Sequence, residues 1–284
     1  MKIGVVGKNG QLAKSISFIN KEYEIVYFDK DAFQILDFND VKKTFFPFEF
    51  EVIINCSAYT NVELAETNKT LAYDLNVKGL SNLVAYCKQN KIFLIHISTD
   101  YVFDGLKRFP YTEEDQTNPI SIYGKTKEIG EKVILESKLP SLIIRTSGLF
   151  SHFGNNIYMR FLKLLKEEVE INVCYDQITS PTSSLDLARI ILSLIIRQKN
   201  ILNPTLIHVT NSGSASWYDF IKRISDNHGI YKTQINKVLL EELDFKANRP
   251  KYSVLSTQKL YEEFEIKLRS WENALDEVSL IAKI

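Results

Sequence analysis

The sequence has few cysteines, no net charge and no metal-binding pattern, and each of these features argues against a class of protein. The three cysteines, Cys56, Cys87 and Cys174, are far apart and show no CxxC spacing, so neither a disulfide framework nor a zinc site is expected. Thirty-five basic residues balance thirty-five acidic ones. This balance argues against a nucleic-acid partner, because nucleic-acid binders usually carry a basic excess. The four histidines have no metal-ligand spacing, and no metal is expected.

Long apolar runs are also missing. The most apolar stretch, residues 187–196, contains Arg189 and is much shorter than the roughly 20 residues that a membrane span needs. The N-terminus lacks the basic region and the apolar run of a signal peptide. We therefore expect a cytoplasmic protein without a membrane partner. Its 284 residues are 45% hydrophobic, enough for a packed core.

Short β-branched runs alternate with helical patterns in the first half of the chain. The predicted strands cover residues 2–6, 24–28, 52–55, 92–98 and 142–146, and the predicted helices cover 10–19, 41–46 with Asn39 as the cap, 72–88 and 121–136. Strands separated by helices are typical of a parallel sheet covered on both faces. The sequence thus predicts an α/β fold, with a Rossmann-type doubly wound sheet in residues 1–150.

The rhythm changes after residue 150. The predicted helices here cover residues 158–166, 185–196 with Ser184 as the cap, 216–227 and the segment from 270 onward, with one strand over 206–209. Trp217 and Trp271 fall in helical patterns and are interpreted as core residues. We expect residues 151–284 to form a smaller substrate-binding lobe that packs on the first domain, with interleaved chain segments.

A glycine turn follows the first predicted strand. Gly7 and Gly10 allow the backbone to approach a pyrophosphate, to which the N-terminus of the next helix offers its N–H groups. Asp29 ends the second strand twenty-two residues after Gly7, where a carboxylate accepts hydrogen bonds from the adenosine ribose and favours NAD. Lys30 beside it suits the 2′-phosphate of NADP. The predicted cofactor is therefore NADH or NADPH.

A second set of polar residues follows the fourth predicted strand. Tyr123 and Lys127 are four residues apart on a predicted helix, so their side chains share one face. We expect the Lys127 ammonium to lower the pKa of Tyr123 and to make this phenol a proton donor near neutrality. Thr99, at the end of the strand, is expected to hydrogen-bond the same substrate oxygen. His96, within the strand, is interpreted as a packed residue.

Together these segments resemble the extended short-chain dehydrogenase/reductases, and within them the dTDP-4-dehydrorhamnose reductase family. The resemblance covers nearly the whole chain, and the run from Ser98 to Phe103 is fairly specific to this branch. The principal matching segments are Gly7-x-x-Gly10-Gln11-Leu12, VIINCSAYT at 52–60, HISTDYVFDG at 96–105, YGKTK at 123–127, RTS at 145–147 and RPxxSxL at 249–255.

The resemblance implies a role for each matched position. The implied cofactor contacts are Gly7, Gly10, Gln11 and Leu12 at the pyrophosphate, Asp29 at the adenosine ribose, Asp37 and Phe38 at the adenine, Ala58, Tyr59 and Thr60 after the third strand, and Tyr123 and Lys127 at the nicotinamide end. Thr99 and Asp100 are implied to face the sugar, with Thr99, Tyr123 and Lys127 as the catalytic residues. The implied reaction is reduction of the C4 ketone of a nucleotide-linked 4-keto-6-deoxy sugar by NAD(P)H, with dTDP-4-dehydrorhamnose giving dTDP-L-rhamnose for polysaccharide synthesis. Homodimers are common in this family, so a homodimer is a further expectation.

Two positions depart from the family pattern. Gly148 stands where the family usually has a tryptophan that contacts the sugar, and Thr179 stands where glycine is favoured. Gly148 is still expected at the substrate, but the sugar or its orientation is left open. The candidates for a substitute aromatic ring are Phe150 and Phe153.

Three alternatives therefore stay open: a reductase for another nucleotide sugar, an epimerase, and a non-catalytic NADP-binding regulatory subunit of the same fold. For the epimerase, the candidate bases are Asp100 and His152. A 4,6-dehydratase is disfavoured because Tyr101 follows Asp100, where that family has a glutamate.

Overall fold

The computed structural model describes residues 1–283. It confirms the predicted α/β class, because six parallel strands form a central sheet that carries helices on both faces. The strands, in chain order, are β1 Lys2–Val6, β2 Glu24–Phe28, β3 Val52–Asn55, β4 Phe93–Thr99, β5 Ser141–Thr146, β6 Leu149–Phe150, β7 Glu170–Cys174, β8 Ile178–Thr179, β9 Thr182–Ser183, β10 Pro204–His208, β11 Ala215–Ser216 and β12 Gln234–Val238.

Helices connect most of these strands. In chain order they are α1 Gln11–Ile19, α2 Phe38–Phe45, α3 Val62–Thr67, α4 Lys69–Tyr73, α5 Leu80–Asn90, α6 Ile122–Ser137, α7 Ile157–Glu167, α8 Ser184–Ile195, α9 Trp217–His228, α10 Gln258–Phe264 and α11 Trp271–Ile281. Short 3₁₀ turns cover 100–102, 198–200 and 240–242, and a π-helical stretch covers 74–79. Within residues 1–283, no helix has the length and apolarity that crossing a membrane requires.

The strand order of the sheet indicates the edge at which a ligand binds. Its strands run β10-β5-β4-β3-β1-β2, so the chain leaves β1 toward β2 on one side and continues from β3 on the other. Ligands of such sheets bind outside the carboxyl ends of the strands, where the order reverses. Val6, Asn55 and His96 are paired in register across β1, β3 and β4 near this edge.

Two apolar layers hold the sheet between its helices. Ile3, Val5 and Ile54 pack toward α1 and α8, while Ile53 and Leu94 pack toward α2, α5 and α6. The alternation along each strand follows from the two-residue repeat of side-chain direction. A third apolar cluster joins α7, α9 and α11, and these three helices define the smaller lobe.

Several predicted boundaries are wrong in detail. Asp37, not Asn39, is the extended residue before α2, and its carboxylate accepts the Asn39 N–H at 2.8 Å. Likewise Ser183, not Ser184, caps α8. The helix predicted over 72–88 is divided into α4, the π-helical stretch and α5. The strand predicted for the smaller lobe, β10, instead pairs with β5 in the main sheet.

A buried ion pair joins α6 to the centre of the sheet. Arg145 of β5 donates to both carboxylate oxygens of Glu131, at 2.9 and 2.7 Å, and Ser98 of β4 donates to the same carboxylate at 2.5 Å. All three side chains are almost fully buried. Removing one partner from such a pair leaves the other charge without compensation, which is far more costly than removing an exposed pair.

We therefore predict that Arg145→Met lowers the free energy of unfolding by about 3–5 kcal/mol. The matched control is Arg223→Met, which breaks the Arg223–Asp276 pair at the surface, where both side chains are 41% exposed. This control is expected to cost about 1 kcal/mol or less. Urea unfolding followed by circular dichroism measures both values, and equal losses would contradict the importance assigned to the buried pair.

Candidate active site

A cleft of about 1130 Å³ lies at the carboxyl edge of the sheet and extends to the smaller lobe. At one end is the glycine turn between β1 and α1. Gly7 has φ +94°, and a Cβ atom there would lie 2.8 Å from the backbone nitrogen of Ser57, so another residue would be strained and would clash. Gly10 precedes α1 without a side-chain cap. The N–H groups of this first turn are therefore available to an anion.

Three other predicted cofactor residues lie in the same part of the cleft. Gln11 and Leu12 line it at the start of α1, and Asp29 lines it at the end of β2. The Gln11 side chain bonds Ser151 and the Leu149 carbonyl oxygen. One Asp29 carboxylate oxygen accepts two backbone N–H groups of the following turn, each at 3.1 Å.

The residues predicted beside the adenine lie elsewhere. Asp37 uses its carboxylate to cap α2, and Phe38 packs against the core with the Lys42 ammonium 4.4 Å from its ring centroid. Neither lines the cleft, which is bounded here by residues 33–36. The two residues implied to contact the adenine are thus a few positions further along the chain than the residues that line the cleft here.

The residues predicted to contact the cofactor after β3 do not all line the cleft. Ala58 and Thr60 line the cleft, but Tyr59 does not. The backbone N–H of Tyr59 donates to Asn76 at 2.7 Å, and its hydroxyl accepts from Asn68 at 3.2 Å. Tyr59 therefore fixes this loop to the helices after β3.

The five residues predicted to act on or face the substrate all line the cleft: Thr99, Asp100, Tyr123, Lys127 and Gly148. A very close contact places α6 against the end of β4, because a Cβ atom on Gly124 would lie 2.1 Å from the Tyr101 carbonyl oxygen. Glycine at this position therefore lets the start of α6 approach the Thr99 strand end.

The prediction that Lys127 lowers the pKa of Tyr123 is wrong. Burial raises the pKa of Tyr123 above the ordinary tyrosine value, and the hydrogen bond with Thr99 opposes this only in part. The Lys127 amino group lies 3.1 Å from His96 Nε2 and 2.6 Å from the Ile97 carbonyl oxygen. Tyr123 thus keeps its proton, which suits a proton donor. His96 is buried as predicted, but it contacts Lys127 rather than only packing in the strand.

Asp100 is held by hydroxyl groups of the protein. Its carboxylate accepts from Thr99 at 3.1 Å, from Ser147 at 2.8 Å and from Ser253 at 2.5 Å. Burial raises the pKa of Asp100, and these hydrogen bonds oppose that rise. The carboxylate joins β4, the segment after β5 and the segment around Ser253, so it organises the floor of the cleft.

The aromatic residue beside Gly148 is Trp217, which was predicted to be a core residue. A Cβ atom on Gly148 would lie 3.2 Å from the Trp217 ring, and Trp217 lines the cleft. Its indole N–H donates to Gln177 at 3.1 Å. The two phenylalanines suggested as substitutes do not line the cleft: Phe150 is fully buried, and Phe153 packs against Phe18 and His152.

Comparisons with known proteins agree with this geometry. The family model for the RmlD substrate binding domain matches residues 1–282. The chain belongs to this family. The resemblance to the extended short-chain dehydrogenase/reductases is thereby confirmed.

Several known proteins are similar to this chain over nearly their full length. The spore coat polysaccharide biosynthesis protein SpsK of Bacillus subtilis is 37% identical, with 97% of this chain and 96% of the relative covered. A dTDP-4-dehydrorhamnose reductase of Aggregatibacter actinomycetemcomitans is 33% identical, with 98% of each covered. The crystal structure of dTDP-4-dehydrorhamnose reductase from Bacillus anthracis in complex with NADP is 35% identical, with a TM-score of 0.94 and 99% of each chain covered.

Proposed function

We propose that this protein reduces the C4 ketone of dTDP-4-dehydrorhamnose to give dTDP-L-rhamnose, with NADPH or NADH as the reductant. The observation that carries the proposal is that one cleft contains both the glycine turn at α1 and the residues Thr99, Tyr123 and Lys127. Relatives named for this reaction match along almost the whole chain. The similarity to a spore coat polysaccharide protein supports a place in surface-polysaccharide synthesis.

The glycine turn suits the diphosphate of a nicotinamide cofactor. Gly7, Gly10, Gln11 and Leu12 surround the N-terminus of α1, where uncapped N–H groups and the helix dipole favour a negative charge. We assign the adenosine ribose to Asp29. Its Oδ1 atom accepts the two N–H groups of the following turn, which leaves its second carboxylate oxygen for the ribose hydroxyls. When bound, the cofactor supplies a hydride to the ketone carbon.

The other reacting proton comes from the protein. Tyr123 is the proton donor to the sugar O4 atom, because burial keeps its phenol protonated at neutral pH. Thr99 lies beside it and orients the same oxygen. Lys127 lies one helical turn beyond Tyr123, where its amino group can also donate to the nicotinamide ribose. The intact set of three argues against a non-catalytic subunit.

The sugar is assigned to the part of the cleft between Gly148 and Trp217. Since Gly148 has φ +52° and no side chain, the Trp217 indole is the apolar wall at this point. Gln177 fixes the indole, and it also donates to the Tyr101 hydroxyl at 3.4 Å. An aromatic face of this kind suits the apolar side of a deoxy sugar.

We infer a cytoplasmic location as part of the same proposal. Cys87 and Cys174 are free and buried, which suits a reducing compartment that also supplies reduced nicotinamide cofactors.

The first test is a direct assay of turnover. Purified protein with freshly prepared dTDP-4-dehydrorhamnose is expected to oxidise NADPH or NADH, followed by loss of nicotinamide absorbance, and to yield dTDP-L-rhamnose by NMR. UDP-linked and GDP-linked 4-keto sugars serve as controls for the nucleotide. Oxidation with only one of these control sugars would show that this sugar, and not dTDP-4-dehydrorhamnose, is the substrate. Cofactor binding with no turnover on any sugar would favour a non-catalytic subunit.

The second test distinguishes between the two tyrosine hydroxyls of the cleft, those of Tyr123 and Tyr101. Tyr123→Phe is expected to lower kcat by about 10²–10⁴-fold, because the proton donor is lost, while the Kd for NADPH stays within a factor of about three. Tyr101→Phe is the matched control, since its hydroxyl accepts from Arg249 and Gln177, and a much smaller loss is expected. The reverse order of the two losses would make Tyr101 the acid.

The third test addresses the sugar wall. Trp217→Ala is expected to raise KM for the nucleotide sugar about tenfold, in line with about 1.4 kcal/mol of lost aromatic contact, without changing the Kd for NADPH. Trp217→Phe keeps a ring but loses the bond to Gln177, so an intermediate value is expected. The control is Trp271→Phe in the core of the smaller lobe. An unchanged KM in Trp217→Ala would place the sugar elsewhere.

A further inference from the structure

The hydroxyl of Tyr101 lies at the centre of a polar network on one wall of the cleft. It accepts a hydrogen bond from Arg249 Nη1 at 3.2 Å, and it faces Gln177 Nε2 at 3.4 Å. Tyr101 and Gln177 both line the cleft. Because a hydroxyl has one hydrogen to donate and two lone pairs to accept with, the direction of each bond shows what Tyr101 has left to offer a ligand.

The orientation of the Gln177 amide is fixed by Trp217. The indole N–H can only donate, and it lies 3.1 Å from Gln177 Oε1. The reversed amide would place its NH₂ group against this N–H, so that two donors would face each other. The amide oxygen therefore accepts from Trp217, and the NH₂ group is the part of Gln177 that faces Tyr101.

The second neighbour of the hydroxyl is Arg249, whose guanidinium has five donors and no acceptor. Its charge is paired with Glu63 of α3, which accepts from Arg249 Nη2 at 2.5 Å and from the Lys246 backbone N–H at 2.7 Å. These bonds hold the guanidinium in place, with Nη1 directed at Tyr101. Both lone pairs of the Tyr101 oxygen therefore face donors.

The hydrogen of the Tyr101 hydroxyl has no acceptor in this network. Burial raises the pKa of Tyr101, although the charge of Arg249 opposes the rise, so the oxygen keeps its hydrogen at neutral pH. Within residues 1–283, the hydroxyl donates to no other protein group. Tyr111 shows the contrast, because its hydroxyl also accepts two N–H groups but donates its own hydrogen to Asp104 at 2.9 Å.

The neighbours of Tyr101 indicate which part of a ligand accepts this hydrogen. The rings of Tyr101 and Tyr123 meet edge to face, with their centroids 5.8 Å apart, and Gln177 joins the Tyr101 hydroxyl to Trp217. The proposed function assigns the sugar to Trp217 and its O4 atom to Tyr123. We propose that the Tyr101 hydroxyl is a further donor to the sugar, directed at an oxygen other than O4.

This contact makes Tyr101 a specificity-determining residue, with Gln177 and Arg249 as positioning residues that act through it. Since both of its lone pairs face donors, Tyr101 offers the sugar only a hydrogen. The site therefore selects a sugar with an acceptor oxygen at this position, because a carbon without oxygen there would leave the donor unpaired in the closed cleft. The inference rests on the proposed function for the identity of the sugar.

The test compares two ligands that differ by the sugar, dTDP-L-rhamnose and dTDP. Each is titrated by calorimetry into the full-length protein with saturating NADPH, so that no reaction takes place. Tyr101→Phe is expected to raise the Kd of dTDP-L-rhamnose about three- to tenfold, because one hydrogen bond is lost, and to leave the Kd of dTDP within a factor of about two. An unchanged Kd for dTDP-L-rhamnose overturns the proposal, and an equal loss for both ligands overturns the assignment to the sugar.

The matched control is Tyr111→Phe. It removes a hydroxyl that donates to Asp104 and does not line the cleft. Both Kd values are expected to match those of the wild-type protein. A loss as large as that of Tyr101→Phe would show that removal of a buried hydroxyl disturbs the cleft in general, and the proposal would fail.

A second variant reverses the hydrogen bond and keeps the phenol. Gln177→Glu retains an oxygen for the Trp217 indole, but it presents an acceptor to Tyr101 instead of a donor. At pH 8 the Tyr101 hydrogen is expected to turn to this carboxylate, and the Kd of dTDP-L-rhamnose is expected to rise about three- to tenfold. This variant also tests the proposal if Tyr101→Phe does not fold.

The double variant shows whether Gln177 acts through Tyr101. Gln177→Glu in the Tyr101→Phe background is expected to weaken dTDP-L-rhamnose no further, because the hydrogen that it would turn is already absent. Additive losses, or an equal loss for dTDP from the added charge, overturn the role of Gln177.

Turnover separates this inference from the proposed function. Tyr101→Phe is expected to raise KM for dTDP-4-dehydrorhamnose in proportion to the Kd and to keep kcat within a factor of about three, whereas Tyr123→Phe lowers kcat. If the wild-type protein binds neither dTDP ligand, the proposed function and this inference fail together. If it binds both and Tyr101→Phe changes neither Kd, only this inference fails.

Discussion

The buried carboxylate of Glu131 is the contact on which the active site depends. It receives hydrogen bonds from Arg145 on β5 and Ser98 on β4, so it fixes the rotation of α6 over the centre of the sheet. Tyr123 and Lys127 lie two and one helical turns earlier on the same helix, and this rotation therefore sets where both side chains enter the cleft. The close approach of Gly124 to the Tyr101 carbonyl oxygen then sets the depth of the helix.

Burial decides the protonation of the groups that this arrangement brings together. Removing a phenol or an amine from water favours its neutral form, so burial raises the pKa of Tyr123 and lowers that of Lys127. The two shifts act in opposite directions on the same pair. The phenol therefore keeps its proton at neutral pH, while the amino group loses its proton more easily than that of an exposed lysine, because Glu131 is already paired with Arg145.

Much of the fold and part of the site could be predicted from the sequence. The strands and helices of the first half follow from alternating apolar runs, and Gly7, Thr99 and Tyr123 lie where strand ends and helix spacing place them. These predictions needed only local periodicity and the rule that parallel strands end at one edge. The position of β10 in the main sheet could not be foreseen, because its partner β5 is about sixty residues away in the chain.

The missed residues share one property: their role depends on a partner that is distant in sequence. Trp217 fits a helical core pattern, and only the empty space at Gly148 places its ring in the cleft. Asn55 and His96 each appear as single polar residues at or near the end of an apolar strand. A buried polar side chain must find a partner, so such residues signal a network even when the partner cannot be named. Here adjacent strands in register bring Asn55 against His96, and α6 supplies the amino group at which their hydrogen bonds end.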